Sequence, residues 1–278
     1  MANLISQIFG RMYDADDSYF PNAITTATFV DAPRIAQFAV QDRPVITIAV
    51  DPPSSQVSSM GICATIMSKS GTTLLIGAAE IKAERCNVVQ IEMICSTFTQ
   101  KVLQLSLFHR ISRDHLRILP IVECNNCAIL SGSIVETIVT TASVVGVASI
   151  MPFQRSFFKT GISDNIGIIT TDNSKLADIL HLFKEMAKSR VRVYTKMVTL
   201  GPIYAQNPIT PTIDETMIAL RDSLVQFKDV DKKITGKTSS TNDDLAMALL
   251  IGMERSHSLE MRRARGEYEI LNTPYRSK

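Results

Sequence analysis

Four acidic residues stand where their side chains could do chemistry. Asp51 closes the run Val45-Ile46-Thr47-Ile48-Ala49-Val50 and is followed by Pro52-Pro53. Glu123 closes Leu116-Arg117-Ile118-Leu119-Pro120-Ile121-Val122, and Asp243-Asp244 opens the run Leu245-Ala246-Met247-Ala248-Leu249-Leu250-Ile251. Carboxylates crowded at one point repel each other, which raises their pKa values when nothing lies between them. A divalent cation relieves that cost. Mg²⁺ and Mn²⁺ favour oxygen ligands and keep positions open for water and phosphate. Two such ions ~3.5–4 Å apart can hold the attacking water and the leaving oxygen of a phosphodiester. Each acid also has a plainer role. A carboxylate after a strand is commonly a turn former or helix cap, and an Asp-Asp pair before an apolar run is an N-cap and a partner for the helix dipole.

The elements decide between these roles. Residues 45–51 are apolar and rich in β-branched types, and a Pro pair cannot continue a central ladder, so a buried strand ends at Asp51. Residues 61–67 and 72–80 read as the second and third strands, joined through Ser68-Lys69-Ser70-Gly71 in an antiparallel meander. Val88, Ile91, Ile94, Phe98, Val102, Leu105 and Phe108 then recur at helical spacing, which predicts an amphipathic helix over 85–109. A helix that crosses over allows the fourth strand, 116–123, to lie parallel to the first, which sets Asp51 beside Glu123. Further on, the sequence predicts a helix over 131–148, a short strand near 149–153, and a loop over 154–173 around a short strand at 166–170. It then predicts a helix over 175–188 capped by Asn173 or Ser174, and short strands at 191–194 and 197–200. A helix over 214–228 opens with Asp214 and Glu215, residues 229–242 are polar and flexible, and a last helix runs from Asp243 or Asp244 to about Met253. Packed across the sheet, that last helix carries its first acids to the edge where Asp51 and Glu123 lie. The fold class is α/β, a mixed sheet of an antiparallel meander plus parallel strands, flanked by helices.

Composition bounds the partners. The chain has 278 residues and is 45% hydrophobic, enough for one large domain or two small ones. Its net charge is +2, too small to indicate a nucleic-acid partner, so any basic surface must be local, and the arginines Arg255, Arg262, Arg263, Arg265 and Arg276 gather towards the C-terminus. Five Cys, an odd number, with no signal peptide point to a reducing compartment. The longest apolar run, near 143–151, is far short of the ~20 residues of a membrane span, so no membrane partner is expected. The domain boundaries read as a leader over 1–40, one domain over 41–256 and a basic tail over 257–278.

Other motifs carry less. Gly236-Lys237-Thr238 imitates a phosphate-binding loop, but position 231 is Asp where the motif needs Gly. Cys124-Asn125-Asn126-Cys127 has metal or redox spacing with no second pair or nearby His to complete it. His109, His115, His181 and His257 are scattered, as solvated or core histidines are.

Val50-Asp51-Pro52, the meander, Val122-Glu123-Cys124-Asn125-Asn126 and Asn242-Asp243-Asp244-Leu245-Ala246-Met247-Ala248 together resemble the C-terminal nuclease domain of the herpesvirus DNA-packaging terminase large subunit. The resemblance is distant and spans most of residues 40–255. It implies a ribonuclease H-like (integrase-like) fold, a site for two Mg²⁺ or Mn²⁺ ions, and endonuclease cutting of concatemeric viral DNA. It further implies that Asp51, Glu123 and one or both of Asp243 and Asp244 are the metal ligands, and that Lys175 falls where the family carries a lysine near the site. The partners it implies are double-stranded DNA, other terminase subunits and the portal or capsid, in the host nucleus. The packaging ATPase of the family is expected on a different segment. Cys124 stands where the family has a small residue, and the loop after Asp51-Pro52 is less polar, so the loops that meet DNA differ. Lys175, Arg262, Arg263 and Arg265 are candidate phosphate contacts, with no base-reading motif and hence no sequence preference. Two other functions fit the same fold: a resolvase or transposase-like nuclease, and a non-catalytic module for assembly or DNA binding.

Overall fold

The computed structural model describes residues 18–20, 29, 44–53, 59–68, 70–82, 87–109, 111–125, 128–150, 170–201, 209–230, 233–235 and 243–264. The meander is present as expected: β1 (Val45–Asp51), β2 (Ser59–Met67) and β3 (Thr73–Lys82) pair antiparallel. The helix α1 (Val88–Leu103) crosses to β4 (Arg117–Val122), which pairs parallel with β1. The helix α2 (Ala128–Val144) leads to β5 (Ala148–Ser149), which pairs parallel with β4. The chain continues as α3 (Asp172–Ala187), β6 (Val191–Val198) and α4 (Ile213–Val225). It ends in β7 (Lys228–Val230), β8 (Lys233–Thr235) and α5 (Asp244–Ala264). The main sheet has the order β5-β4-β1-β2-β3-β6.

Every residue of β1, β2 and β4 is buried, because both faces of the sheet are covered and a two-faced strand must be apolar throughout. One face carries α1, whose Phe98 and Val102 lie over Gly77. The other carries α5: Gly252 lies against Ala49 and Cys63, and Ser256 Oγ donates to Thr47 Oγ1 at 2.7 Å. Side chains alternate along a strand, so Thr47, Ala49 and Asp51 share the α5 face. The helices α3 and α4 pack against α5 on this side.

Several boundaries differ from expectation. The helix expected over 85–109 stops at Leu103, and a 3-10 turn over Ser106–Phe108 follows. Apolar spacing persists through both, since a 3-10 turn also repeats every three residues. The helix expected over 131–148 spans 128–144, and Gly146, at φ +77°, turns the chain after it. The cap of α3 is Thr171, earlier than Asn173 or Ser174; Ser174 is its reciprocal partner in a capping box. The two strands expected at 191–194 and 197–200 are one, β6, interrupted where Leu75 pairs Val193 but Gly77 pairs Val198. Thr195 and Lys196 are exposed at that bulge, which breaks the apolar pattern without ending the strand. Part of the stretch expected to be flexible forms the β7–β8 hairpin. The last helix runs to Ala264 instead of Met253, because Glu254, Arg255 and their neighbours are good helix formers and Ser256 and Leu259 keep a buried face. The strand expected at 166–170 falls on residues outside those described, apart from Thr170.

Candidate metal centre

The register of the sheet sets the positions of the acids. Val50 pairs with Val122 across the parallel β1–β4 ladder, and the Glu123 N–H donates to the Val50 carbonyl at 2.9 Å. One residue further on, Asp51 and Glu123 end adjacent strands on the α5 face. Both are buried. On its other side Asp51 pairs with Gly61, and Gly61 pairs with Glu80. Glu123, Asp51, Gly61 and Glu80 thus form one row across four strands.

The start of α5 lies on that row. A Cβ built on Gly61 would sit 2.0 Å from the Asp244 carbonyl oxygen and 2.4 Å from the Leu245 nitrogen, so only glycine lets the helix backbone approach so closely. The Asp243 carbonyl accepts from the Met247 N–H at 2.7 Å, which makes Asp243 the cap residue and Asp244 the first helical residue. Both are buried, at 4% and 2% exposure, in a place where the helix dipole favours negative charge. The Ser59 hydroxyl lies between Asp244 Oδ2 and Glu80 Oε1, the latter 3.0 Å away.

Glu123 is held from a different direction. Thr170 Oγ1 donates to Glu123 Oε1, and Asn125 Nδ2 lies 3.3 Å from the same oxygen. Ser131 Oγ donates to the Glu123 carbonyl at 2.7 Å, which ties the start of α2 to the end of β4. Beside it, burial and then the Glu123 charge raise the Cys124 thiol above its ordinary pKa, so it stays protonated and is a poor metal ligand. Its partner in the Cys-x-x-Cys spacing, Cys127, lies outside the described residues.

The donors suit Mg²⁺ or Mn²⁺ in kind, being all carboxylate oxygen. Among the described residues no group of three or more His, Cys, Asp or Glu is gathered so that it could hold an ion. Binding by three of these acids therefore requires their side chains to turn, Asp244 away from Ser59 in particular. Of the other expected contacts, Lys175 lies half-buried in the first turn of α3. Arg262 and Arg263 are in the last turn of α5 with side chains outside those described, and Arg265 lies beyond it, outside the described residues. Ser59, Glu80, Asn125 and Thr170 were not among the expected site residues. Asn125 is signalled only by standing two residues after Glu123, and Glu80 by nothing in the sequence, since a bulge in the β2–β3 ladder sets its register.

A six-stranded sheet of this order, with helices on both faces, is the ribonuclease H-like fold. No family model matches the chain, and no curated protein matches it in sequence. Among solved structures it is similar to the human cytomegalovirus terminase nuclease domain, Mn-soaked and inhibitor-bound, at a TM-score of 0.63 and 14% identity, over 87% of this chain and 98% of that one. A second Mn-soaked structure of that domain gives a TM-score of 0.60 at 14% identity, over 86% of this chain and 97% of that one. The P22 large terminase nuclease domain is matched at a TM-score of 0.43 and 13% identity, over 88% of this chain and 90% of that one.

Proposed function

We infer that this chain is the nuclease domain of a herpesvirus-type DNA-packaging terminase, an endonuclease that needs divalent metal to cut concatemeric double-stranded DNA. One observation carries this: Asp51 and Glu123 end neighbouring parallel strands on the face where α5 presses its first acids onto Gly61. The likeness in fold to the cytomegalovirus terminase nuclease domain supports it.

Asp51, Glu123 and Asp244, with Asp243 beside it, would hold two Mg²⁺ or Mn²⁺ ions. When bound, the ions lower the pKa of a coordinated water and stabilise charge on the leaving oxygen. The chain's own residues fix the ligands. The β1–β4 ladder sets the spacing of Asp51 and Glu123, Gly61 admits the helix start, and the buried setting strengthens the attraction of carboxylate for cation. DNA is bound through its phosphates without base preference. In the virus the domain acts in the host nucleus beside other terminase subunits and the portal or capsid.

Purified protein is incubated with supercoiled plasmid and Mn²⁺, and with EDTA in place of metal. Nicking that requires metal and is lost in Asp51→Asn is the expected result. A folded protein that binds plasmid and leaves it intact at every Mn²⁺ concentration would instead make the chain a non-catalytic assembly or DNA-binding module.

A further inference from the structure

Asn125 and Thr170 meet at more points than a casual loop contact needs. Asn125 Nδ2 donates to the Thr170 carbonyl at 2.9 Å and lies 2.8 Å from Thr170 Oγ1, and the Thr170 N–H donates to Asn125 Oδ1 at 2.8 Å. The amide side chain thus pairs with the Thr170 backbone as a neighbouring strand would, although 45 residues separate the two. Both side chains then turn to Glu123, and both reach the same oxygen, Oε1. Among the described residues no hydrogen bond falls on Oε2. Thr170 is also anchored from behind, because Thr171 caps α3 through its capping box with Ser174, and α3 packs against α5.

We propose that Asn125 and Thr170 are positioning residues for Glu123: they engage Oε1, fix the carboxylate and leave Oε2 to the cation. This rests on the nuclease function proposed above. An outer partner of this kind sets the orientation and basicity of a ligand, and its loss typically weakens metal binding by about 10–100-fold. The effect should therefore be read in metal affinity. Thr170→Val keeps the shape of the side chain and the backbone pairing with Asn125, and removes only the hydroxyl that donates to Glu123. Thr170→Ser restores that hydroxyl.

Mn²⁺ is titrated into wild-type protein and the variants, with free Mn²⁺ followed by its electron paramagnetic resonance signal, alongside Mn²⁺-dependent plasmid nicking and a thermal melt. Thr170→Val is expected to raise the Mn²⁺ midpoint by about 10–100-fold in both binding and nicking, with the nicking rate recovering at saturating metal. Thr170→Ser is expected to return the wild-type midpoint. Should Thr170→Val fail to fold, Asn125→Ala, on the exposed side of the contact, is read for the same shift. A folded Thr170→Val with the wild-type Mn²⁺ midpoint overturns the positioning role and leaves the nuclease function standing. Wild-type protein that neither binds Mn²⁺ nor nicks overturns both.

Discussion

Asp243 and Asp244 are neighbours in sequence but not in role. Asp243 holds the cap position, where its carbonyl accepts the first helical hydrogen bond; Asp244 lies over Gly61 with its carboxylate against Ser59. Asp244 is linked through Ser59 and Glu80 to the row that includes Asp51. Asp244→Ala is therefore expected to abolish Mn²⁺-dependent nicking in a protein that still melts cooperatively. Asp243→Ala removes a cap carboxylate, costs about 0.5–2 kcal/mol of stability and keeps part of the activity. Nicking and thermal melts of the two variants check this, and full nicking by both would remove the third ligand and the proposed function with it. Ser59 shows why the neighbourhood is sensitive. Its hydroxyl reaches both Asp244 and Glu80, so it links the start of α5 to the row across the sheet.

At the scale of elements, the contact of α5 with β2 admits no side chain at Gly61. Gly61→Ala would drive a methyl into backbone that cannot swing aside, and α5 must lift from the sheet. The expected cost reaches or exceeds the ~1–3 kcal/mol of ordinary overpacking, together with loss of Mn²⁺ binding, read by melt and titration. The α3–α5 interface has a different character. It buries Asp178 and half-buries His181 on α3 near Glu254 and His257 on α5, with the two imidazole centroids 4.6 Å apart. Burial first, then the Glu254 charge, pushes Asp178 up to about 7, against a partial pull down by Arg255. Burial first, then His257, pushes His181 down to about 4. Asp178 thus contributes stability that is full below its ordinary value of 3.8 and lost as pH rises through about 7. His181 contributes stability that is full above 6.5 and lost as pH falls through about 4. The two slopes oppose each other across the shared window. Relative to wild type, Asp178→Asn should gain melting temperature steadily between pH 4.5 and pH 7, and His181→Gln should lose it between pH 4.5 and pH 6.5. Calorimetry across that range checks both signs.

For the molecule as a whole, the proposed function carries an expectation about DNA. With no base-reading motif in the sequence, the arginines towards the C-terminus would meet phosphate rather than base edges. Competition by unrelated duplexes of equal length should give overlapping binding curves whose affinity falls steeply with salt; a single preferred sequence at physiological salt would contradict this. Much of the architecture was legible because the pattern changes where elements change: short β-branched apolar runs through β1 to β3, a helical repeat in α1, and the return of a buried run in β4. From that order came the adjacency of Asp51 and Glu123, which the ladder bears out. Glu80 was not legible, because a bulge between Ala64 and Thr65 shifts the β2–β3 register by one residue. A one-residue slip sends a side chain to the opposite face, so counting back from the turn would have put Glu80 away from Asp51. Thr170 was hidden for another reason. Its contact with Asn125 spans 45 residues, and no local pattern encodes a contact of that range.

The bulge in β6 that broke the apolar pattern has a use of its own. An open sheet ends in strands whose outer backbone groups can recruit another chain. Here one end of the order is β5, two residues long, too short to template a partner. The other end is β6, where exposed Thr195 and Lys196 interrupt the ladder and set a charge on the rim. Among the described residues both margins of the sheet are thereby blunted, which disfavours edge-to-edge pairing between copies of this chain.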